Sequence, residues 1–171
     1  MQTSIPYKVT AIILASGQGL RYGSPKSEAS IDGKLFSQKI SGSLLEAGIR
    51  DIVLADAEET ASPLDTLRVA VSKLYAKPDF YLIFPVDHPF VSSETISILL
   101  ASAYENPDCV IKPEFRGSRG HPIIIPSALD IFAEAEAGLR EIIRHSGIAT
   151  VIVPVDDAGI MQNLNYPQDT E

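Results

Sequence analysis

The sequence is poor in several things, and each shortage narrows the reading. It has one cysteine, Cys109, so no internal disulfide can form. Its apolar runs, such as Thr10 to Ala15 and Phe80 to Pro85, are far too short to cross a bilayer. Met1 to Thr10 is polar and contains Pro6, so it does not read as a signal peptide. A cytoplasmic protein without a membrane partner is therefore expected. Cations are in the minority: 14 Lys and Arg stand against 22 Asp and Glu, for a net charge of -8. That balance argues against sequence-independent binding to nucleic acid, which depends on basic residues facing phosphates. Small phosphorylated ligands stay open, because a few local cations and backbone N–H groups are enough for them.

What is present is the pattern of a folded domain. The 171 residues are 45% hydrophobic and 21% charged, enough for one buried core and unlike a disordered chain. No repeat, low-complexity tract or linker divides the chain. A single domain over 1–171 is expected, with its core over about 9–169.

Short β-branched runs at Val9 to Ala15, Asp51 to Ala55 and Asp79 to Val86 predict buried strands. Between and after them, apolar residues at helical spacing predict helices at Ser37 to Ala47, Leu64 to Tyr75 and Ser93 to Tyr104. Gly48 stops the first, and Ser at the start of the third is a cap signal. Cys109 to Lys112, Pro122 to Ile125 and Thr150 to Val155 read as further strands. Pro113 to His121 reads as a loop, and Ser127 to Glu136 and Leu139 to His145 as helices. Strands alternating with helices imply parallel crossover units and a sheet covered on both faces.

Four segments can carry chemistry. Directly after the first strand comes Leu14-Ala15-Ser16-Gly17-Gln18-Gly19-Leu20-Arg21-Tyr22-Gly23-Ser24-Pro25-Lys26. Its glycines let backbone N–H groups approach an anion, and Arg21 and Lys26 add two cations. The spacing fits neither the dinucleotide fingerprint nor the Walker loop. At the end of the third strand stands Pro85-Val86-Asp87-His88-Pro89. An Asp at a strand's carboxyl end is placed to hold Mg²⁺, which takes one or two carboxylates plus substrate phosphates. A turn-capping Asp is the plain alternative. His88 has no second His or Cys at a metal-site spacing. Arg116-Gly117-Ser118-Arg119-Gly120-His121-Pro122 is either a second anion-binding loop or a solvated basic turn. Asn163-Leu164-Asn165-Tyr166-Pro167 reads as a turn before a short helix, with an Asn oxygen able to ligate Mg²⁺.

Taken in order, these pieces resemble the MobA-like nucleotidyltransferase family, which includes the molybdenum cofactor cytidylyltransferases. Leu14 to Lys26 matches the family's L-A-A-G-x-S-x-R-M-G-x-x-K loop, with Ser16, Gly19 and Tyr22 as replacements. Pro85-Val86-Asp87-His88-Pro89 matches P-x-D-x-P, and Gly120-His121-Pro122 matches G-H-P. Asn163-Leu164-Asn165 followed by Pro167 and Asp169 loosely matches the closing segment. The resemblance implies a Rossmann-like three-layer α/β/α sandwich with a mostly parallel sheet, of the nucleotide-diphospho-sugar transferase type. It implies an Mg²⁺-dependent enzyme that moves a nucleotidyl group from a nucleoside triphosphate to a phosphorylated acceptor such as molybdopterin.

By that resemblance, Arg21, Lys26 and Asp87 are catalytic. Leu14, Ala15, Ser16, Gly17, Gly19, Arg21, Lys26, Pro85 and Asp87 bind the nucleotide. Arg119, Gly120 and His121 face the acceptor, and Asp87 and Asn165 hold the metal. The loop leans toward CMP transfer over GMP transfer. The departures are a short span from Asp56 to Phe80, with Ser62-Pro63-Leu64-Asp65-Thr66-Leu67 only an echo of the family's turn, and a G-D-x-G-x-R segment reduced to Gly138-Leu139-Arg140. With Asn165 where the family carries an acidic ligand, they admit a nucleotide-binding module without turnover, and the shared fold and Arg/Lys/Asp set leave a sugar- or polyol-phosphate nucleotidyltransferase as a second alternative.

Overall fold

A computed structural model describes residues 7–15, 28–56 and 62–164. Its centre is a twisted sheet in which most predicted strands recur. The strands are β1 (Val9–Leu14), β4 (Asp51–Ala55), β5 (Phe80–Pro85), β6 (Val110–Phe115), β7 (Ser118–Arg119), β8 (Ile123–Pro126) and β9 (Thr150–Pro154). Two short strands, β2 (Ser30–Ile31) and β3 (Lys34–Leu35), form a separate hairpin. The helices are α1 (Phe36–Glu46), α2 (Pro63–Ser72), α3 (Ser93–Glu105) and α4 (Leu139–His145).

Across the sheet the order is β4-β1-β5-β8-β6-β7, with β9 on the other edge of β6. β1 runs parallel to β4 and β5, and β6 runs parallel to β9. β8 alone separates these two parallel groups, antiparallel to both neighbours. The reversal comes from the β6–β7 hairpin. Its two-residue turn is Arg116 (φ +50°) and Gly117 (φ +81°), the doubly left-handed turn that matches strand twist. The basic loop expected over Pro113 to His121 is thus mostly strand with a tight turn. Asp32 (φ +52°) and Gly33 (φ +73°) close β2 onto β3 in the same way. That Asp-Gly pair is a strong hairpin signal which the helix-and-strand reading passed over.

Alternation along the strands sends residues to two apolar layers. Ala11, Ile13, Leu82, Phe84 and Ile111 face α1 and α3, where Phe36, Ile40, Leu44, Ile96 and Leu99 cover them. Ile12, Leu14, Tyr81, Ile83 and Ile123 face α2 and α4, where Leu64, Leu67, Ile142 and Ile143 pack. The three layers are those that the family resemblance implies. No described helix is long and apolar enough to cross a membrane.

The helix expected over Ser127 to Glu136 does not form. Leu129 and Ile131 are both buried two residues apart, a spacing that suits an extended segment. The segment is held by turns and by Arg68, whose guanidinium donates to the carbonyls of Ile131 (2.8 Å) and Ala133 (2.7 Å). Carbonyls turned toward Arg68 are taken by a partner outside the segment.

Candidate active site

The carboxyl ends of β1 and β5 meet at one point. Val86 N–H donates to the Leu14 carbonyl (2.9 Å), and Ala15 N–H donates to Ala55 (2.9 Å). Leu14 and Ala15 are buried. The chain therefore leaves β1 directly beside Val86-Asp87. Ser16, Gly17, Gly19, Arg21 and Lys26 lie outside the described residues, as does Asn165.

Asp87 follows Pro85 in a turn that His88 N–H closes onto the Pro85 carbonyl (3.2 Å). Both Asp87 and His88 are buried, at 7% and 5% exposure. His88 Nδ1 and Asp87 Oδ1 share a hydrogen bond at 2.8 Å, in which the ring donates when the carboxylate is ionised. A buried carboxylate needs such a donor to offset its desolvation. The His121 ring lies edge-on to His88, with centroids 5.1 Å apart. Sequence spacing could not show this pairing, because β8 brings His121 back beside β5. Burial first, and then the charge of His88, push the His121 pKa down to about 4. His121 is therefore neutral near pH 7 and brings hydrogen-bonding capacity, not a charge, to the cleft. Its Nδ1 is buried with no hydrogen-bond partner among the described residues.

A strap holds this corner together. After β9, Asp157 accepts from Ser92 N–H (2.9 Å), Ser92 Oγ–H (3.0 Å) and Thr95 Oγ1–H (2.7 Å) at the start of α3. It also accepts from Gly159 N–H (2.8 Å). Burial pushes the Asp157 carboxyl up, but these hydrogen bonds outweigh it and hold the group below its ordinary value. The following turn, Ala158–Met161, presses on Gly120. His121 N–H donates to the Ile160 carbonyl (3.0 Å), and a Cβ at Gly120 would sit 2.2 Å from that oxygen. Gly120 is thus required by close backbone approach, apart from any ligand contact. Two residues beyond Gln162, Leu164 N–H donates to the Asp87 carbonyl (2.9 Å).

A cleft of about 1080 Å³ opens on the α2/α4 face. Leu14, Ile83, Pro85 and Ile123 form its floor, and Asp87 and His121 stand at its head. One wall is the start of α2, where Ser62 Oγ accepts from Asp65 N–H (3.1 Å) and Pro63 occupies the first turn. The other wall brings Lys112, Arg119, Gly138 and Arg140 into the lining. Of the expected site residues that are described, Leu14, Pro85, Asp87, Arg119, Gly120 and His121 all line this cleft, and Ala15 sits behind it in the core. Lys112 and the lining role of Arg140 were missed. A lysine inside the apolar run Cys109 to Lys112 was the available signal.

The residues fit a metal carried in with substrate phosphates better than a resident ion. Among the described residues no three His, Cys, Asp or Glu side chains converge on a possible metal site, whereas one buried carboxylate at a strand end suits Mg²⁺ held jointly with phosphate oxygens.

The profile of the MobA-like NTP transferase domain matches residues 11–151. The chain belongs to this family. Among curated relatives, the MobA-like domain is similar to a probable molybdenum cofactor guanylyltransferase of Bacillus cereus, 26% identical over 123 residues. That match covers 61% of this chain and 61% of the relative, so the aligned part spans about three-fifths of each. A Deinococcus radiodurans protein of the same name is 26% identical over 180 residues, covering 94% and 91%. Among solved structures, the 2-C-methyl-D-erythritol 4-phosphate cytidylyltransferase of Thermus thermophilus superposes with a TM-score of 0.67 at 14% identity, covering 95% of each chain. It shares the nucleotidyltransferase fold of this MobA-like domain.

Proposed function

We propose that this MobA-like domain is an Mg²⁺-dependent nucleotidyltransferase that moves a nucleoside monophosphate from a nucleoside triphosphate to a small phosphorylated acceptor, releasing pyrophosphate. One observation carries the reading. The Val86–Leu14 hydrogen bond sets the start of the glycine-rich segment against buried Asp87, at the head of the cleft. Membership of the family supports it independently.

The roles follow from charge and position. Asp87, oriented by His88, would hold the metal together with phosphate oxygens, and Asn165 is the second proposed contact. A bound Mg²⁺ would polarise the α-phosphate and neutralise charge there. Backbone N–H groups of the glycine-rich segment, with Arg21 and Lys26, would stabilise the departing pyrophosphate. An acceptor phosphate oxygen forms the new bond to the α-phosphorus while the bond to the β-phosphate oxygen breaks, its electron pair leaving with pyrophosphate. That oxygen is already ionised at pH 7, so no general base is needed. Catalysis is then positioning and electrostatics.

The loop sequence leans to CTP as donor, whereas the Bacillus and Deinococcus relatives carry the name guanylyltransferase. Molybdopterin fits as acceptor on both the resemblance and those names. The test is a thermal-shift titration with CTP, GTP, ATP and UTP, each with and without Mg²⁺. The expected result is a base-selective, Mg²⁺-dependent rise, since a ligand that binds only the folded state stabilises it. Pyrophosphate release with molybdopterin and the selected donor would follow. A well-folded protein that none of the four stabilises would sink the proposal. Nucleotide binding without release, with molybdopterin and with a panel of sugar and polyol phosphates, would replace it with a non-catalytic binding module.

A further inference from the structure

Three cations come together on the wall of the cleft away from α2. Lys112 projects from β6, Arg119 from β7 and Arg140 from the first turn of α4, and all three line the cleft. They are distant in sequence and meet only through the fold. Among the described residues none of them pairs with a carboxylate. Glu114 stands opposite Arg119 in the β6–β7 ladder without forming an ion pair. In a chain of net charge -8, this is a positive cluster without an ion-pair partner among the described residues, in a concave site whose lining also carries the carboxylates of Asp65, Asp87 and Glu136.

The cluster is electrostatically costly. Lys112 is half-buried, and burial, followed by the charges of Arg119 and Arg140, depresses its pKa. Like charges held together in a cleft are stabilised when an anion joins them. Arg68, on the opposite wall, is different. It is tied to Asp65 and to the carbonyls of Ile131 and Ala133.

Topology adds a direction. β1, which leads into the glycine-rich segment, lies on one side of β5, and β8 and then β6 lie on the other. Asp87, at the end of β5, stands between. β6 is two strands from β5, so the Lys112 backbone is about 10 Å across the sheet from the strand that carries Asp87. Phosphoryl-type transfer requires the attacking and leaving oxygens roughly in line on opposite sides of phosphorus. A donor whose pyrophosphate lies toward β1 must be attacked from the β6 side.

We infer that Lys112, Arg119 and Arg140 form the subsite that receives a phosphate monoester of the acceptor, on the side of Asp87 opposite the donor. The inference deepens the proposed function and rests on that reading for the word acceptor. The anion site itself rests on the cluster. Arg supplies bidentate donors and Lys a point charge, a set that suits a tetrahedral dianion.

The test is calorimetric titration with inorganic phosphate of the whole chain and of two double variants. One is Lys112→Met with Arg140→Gln, which keeps the apolar stem of Lys112 and changes an exposed Arg140. The other, Lys73→Met with Lys77→Gln, removes two exposed cations elsewhere. Thermal shift with the four Mg²⁺-nucleotides is run on all three. The expected result is phosphate binding at least tenfold weaker in the first variant and unchanged in the second, with nucleotide shifts equal throughout. Equal phosphate affinity in the first variant and the unaltered chain would overturn the subsite, as would no measurable phosphate binding by the unaltered chain. If phosphate binding falls as expected but no nucleotide stabilises any of the three proteins, the anion subsite stands and the nucleotidyltransferase reading fails.

Discussion

The two faces of the sheet are made from the same strands and end differently. On the α1/α3 face, Phe84, Leu82 and Ile13 are sealed under helices at 0–1% exposure. On the α2/α4 face, their sequence neighbours Ile83 and Leu14 are buried toward the middle of the sheet, yet with Ile123 of β8 they also floor a cleft. α2 and α4 stand apart at the carboxyl ends of β1 and β5, and the polar groups Asp87, His121 and Lys112 collect in the gap. Alternation along a strand thus assigns one residue to stability and the next to the site.

The sharpest way to break this comparison is at adjacent positions of β5. Phe84→Ala should cost about 3–5 kcal/mol of unfolding free energy, because the closed face cannot collapse around the lost ring. Ile83→Ala should fall near the low end of the roughly 2–5 kcal/mol range, since its surroundings open to the cleft. Urea midpoints measure both. Equal losses would mean that the two faces are equally packed.

Asp87→Asn inverts the pattern. The amide keeps the size of the side chain and one oxygen for His88, so the melting temperature should change little. Turnover should drop roughly 100-fold or more, about 3 kcal/mol of barrier. Steady-state pyrophosphate release checks this, and unchanged turnover would remove Asp87 from metal binding.

His121 sharpens the comparison through pH. Its folded pKa of about 4 lies below its ordinary value of 6.5, so the unfolded chain takes up the proton first as pH falls. The stability it supports is full above about pH 6.5 and is lost progressively toward pH 4, by roughly 3 kcal/mol at most. His121→Gln should flatten the fall in urea midpoint between pH 7 and pH 4.5. If the variant shows the same slope, the loss belongs to other groups.

The smallest expected effects are at helix starts. Ser62→Ala removes the cap of α2 at the cleft wall and should cost about 1 kcal/mol. Ser92→Ala on α3 also removes a hydroxyl donor to Asp157 and should cost somewhat more. Thermal denaturation of the two variants ranks them, and the reverse order would mean that the Asp157 clamp contributes little.

How much of this was legible in the sequence follows the range of the interactions. β1, β4, β5, α3 and α4 were readable because local apolar period and caps decide them. Pro85, Asp87, Gly120 and His121 were readable as short motifs, and all reach the cleft. Ser127 to Glu136 was misread because Arg68, some 60 residues earlier, takes its carbonyls. Lys112 and Arg140 were only half legible for the same kind of reason. The lysine in an apolar run and the Gly138-Leu139-Arg140 remnant are visible in the sequence, but only the sheet order brings the two side chains to one cleft. Gly120 was legible as part of a motif, but its close approach to the Ile160 backbone, 40 residues later, was not.

The Leu164–Asp87 hydrogen bond has a dynamic consequence. Backbone hydrogen bonds outside the sheet ladder open locally at lower cost than those within it. Here such an opening would take a backbone partner from the site's central acidic residue while every strand stayed paired. The Leu164 amide proton is therefore a reporter: its exchange rate with solvent deuterium should track the integrity of the site, not of the fold. It should slow when Mg²⁺-nucleotide binds, leaving the amides of β1 and β5 at their own slow rates.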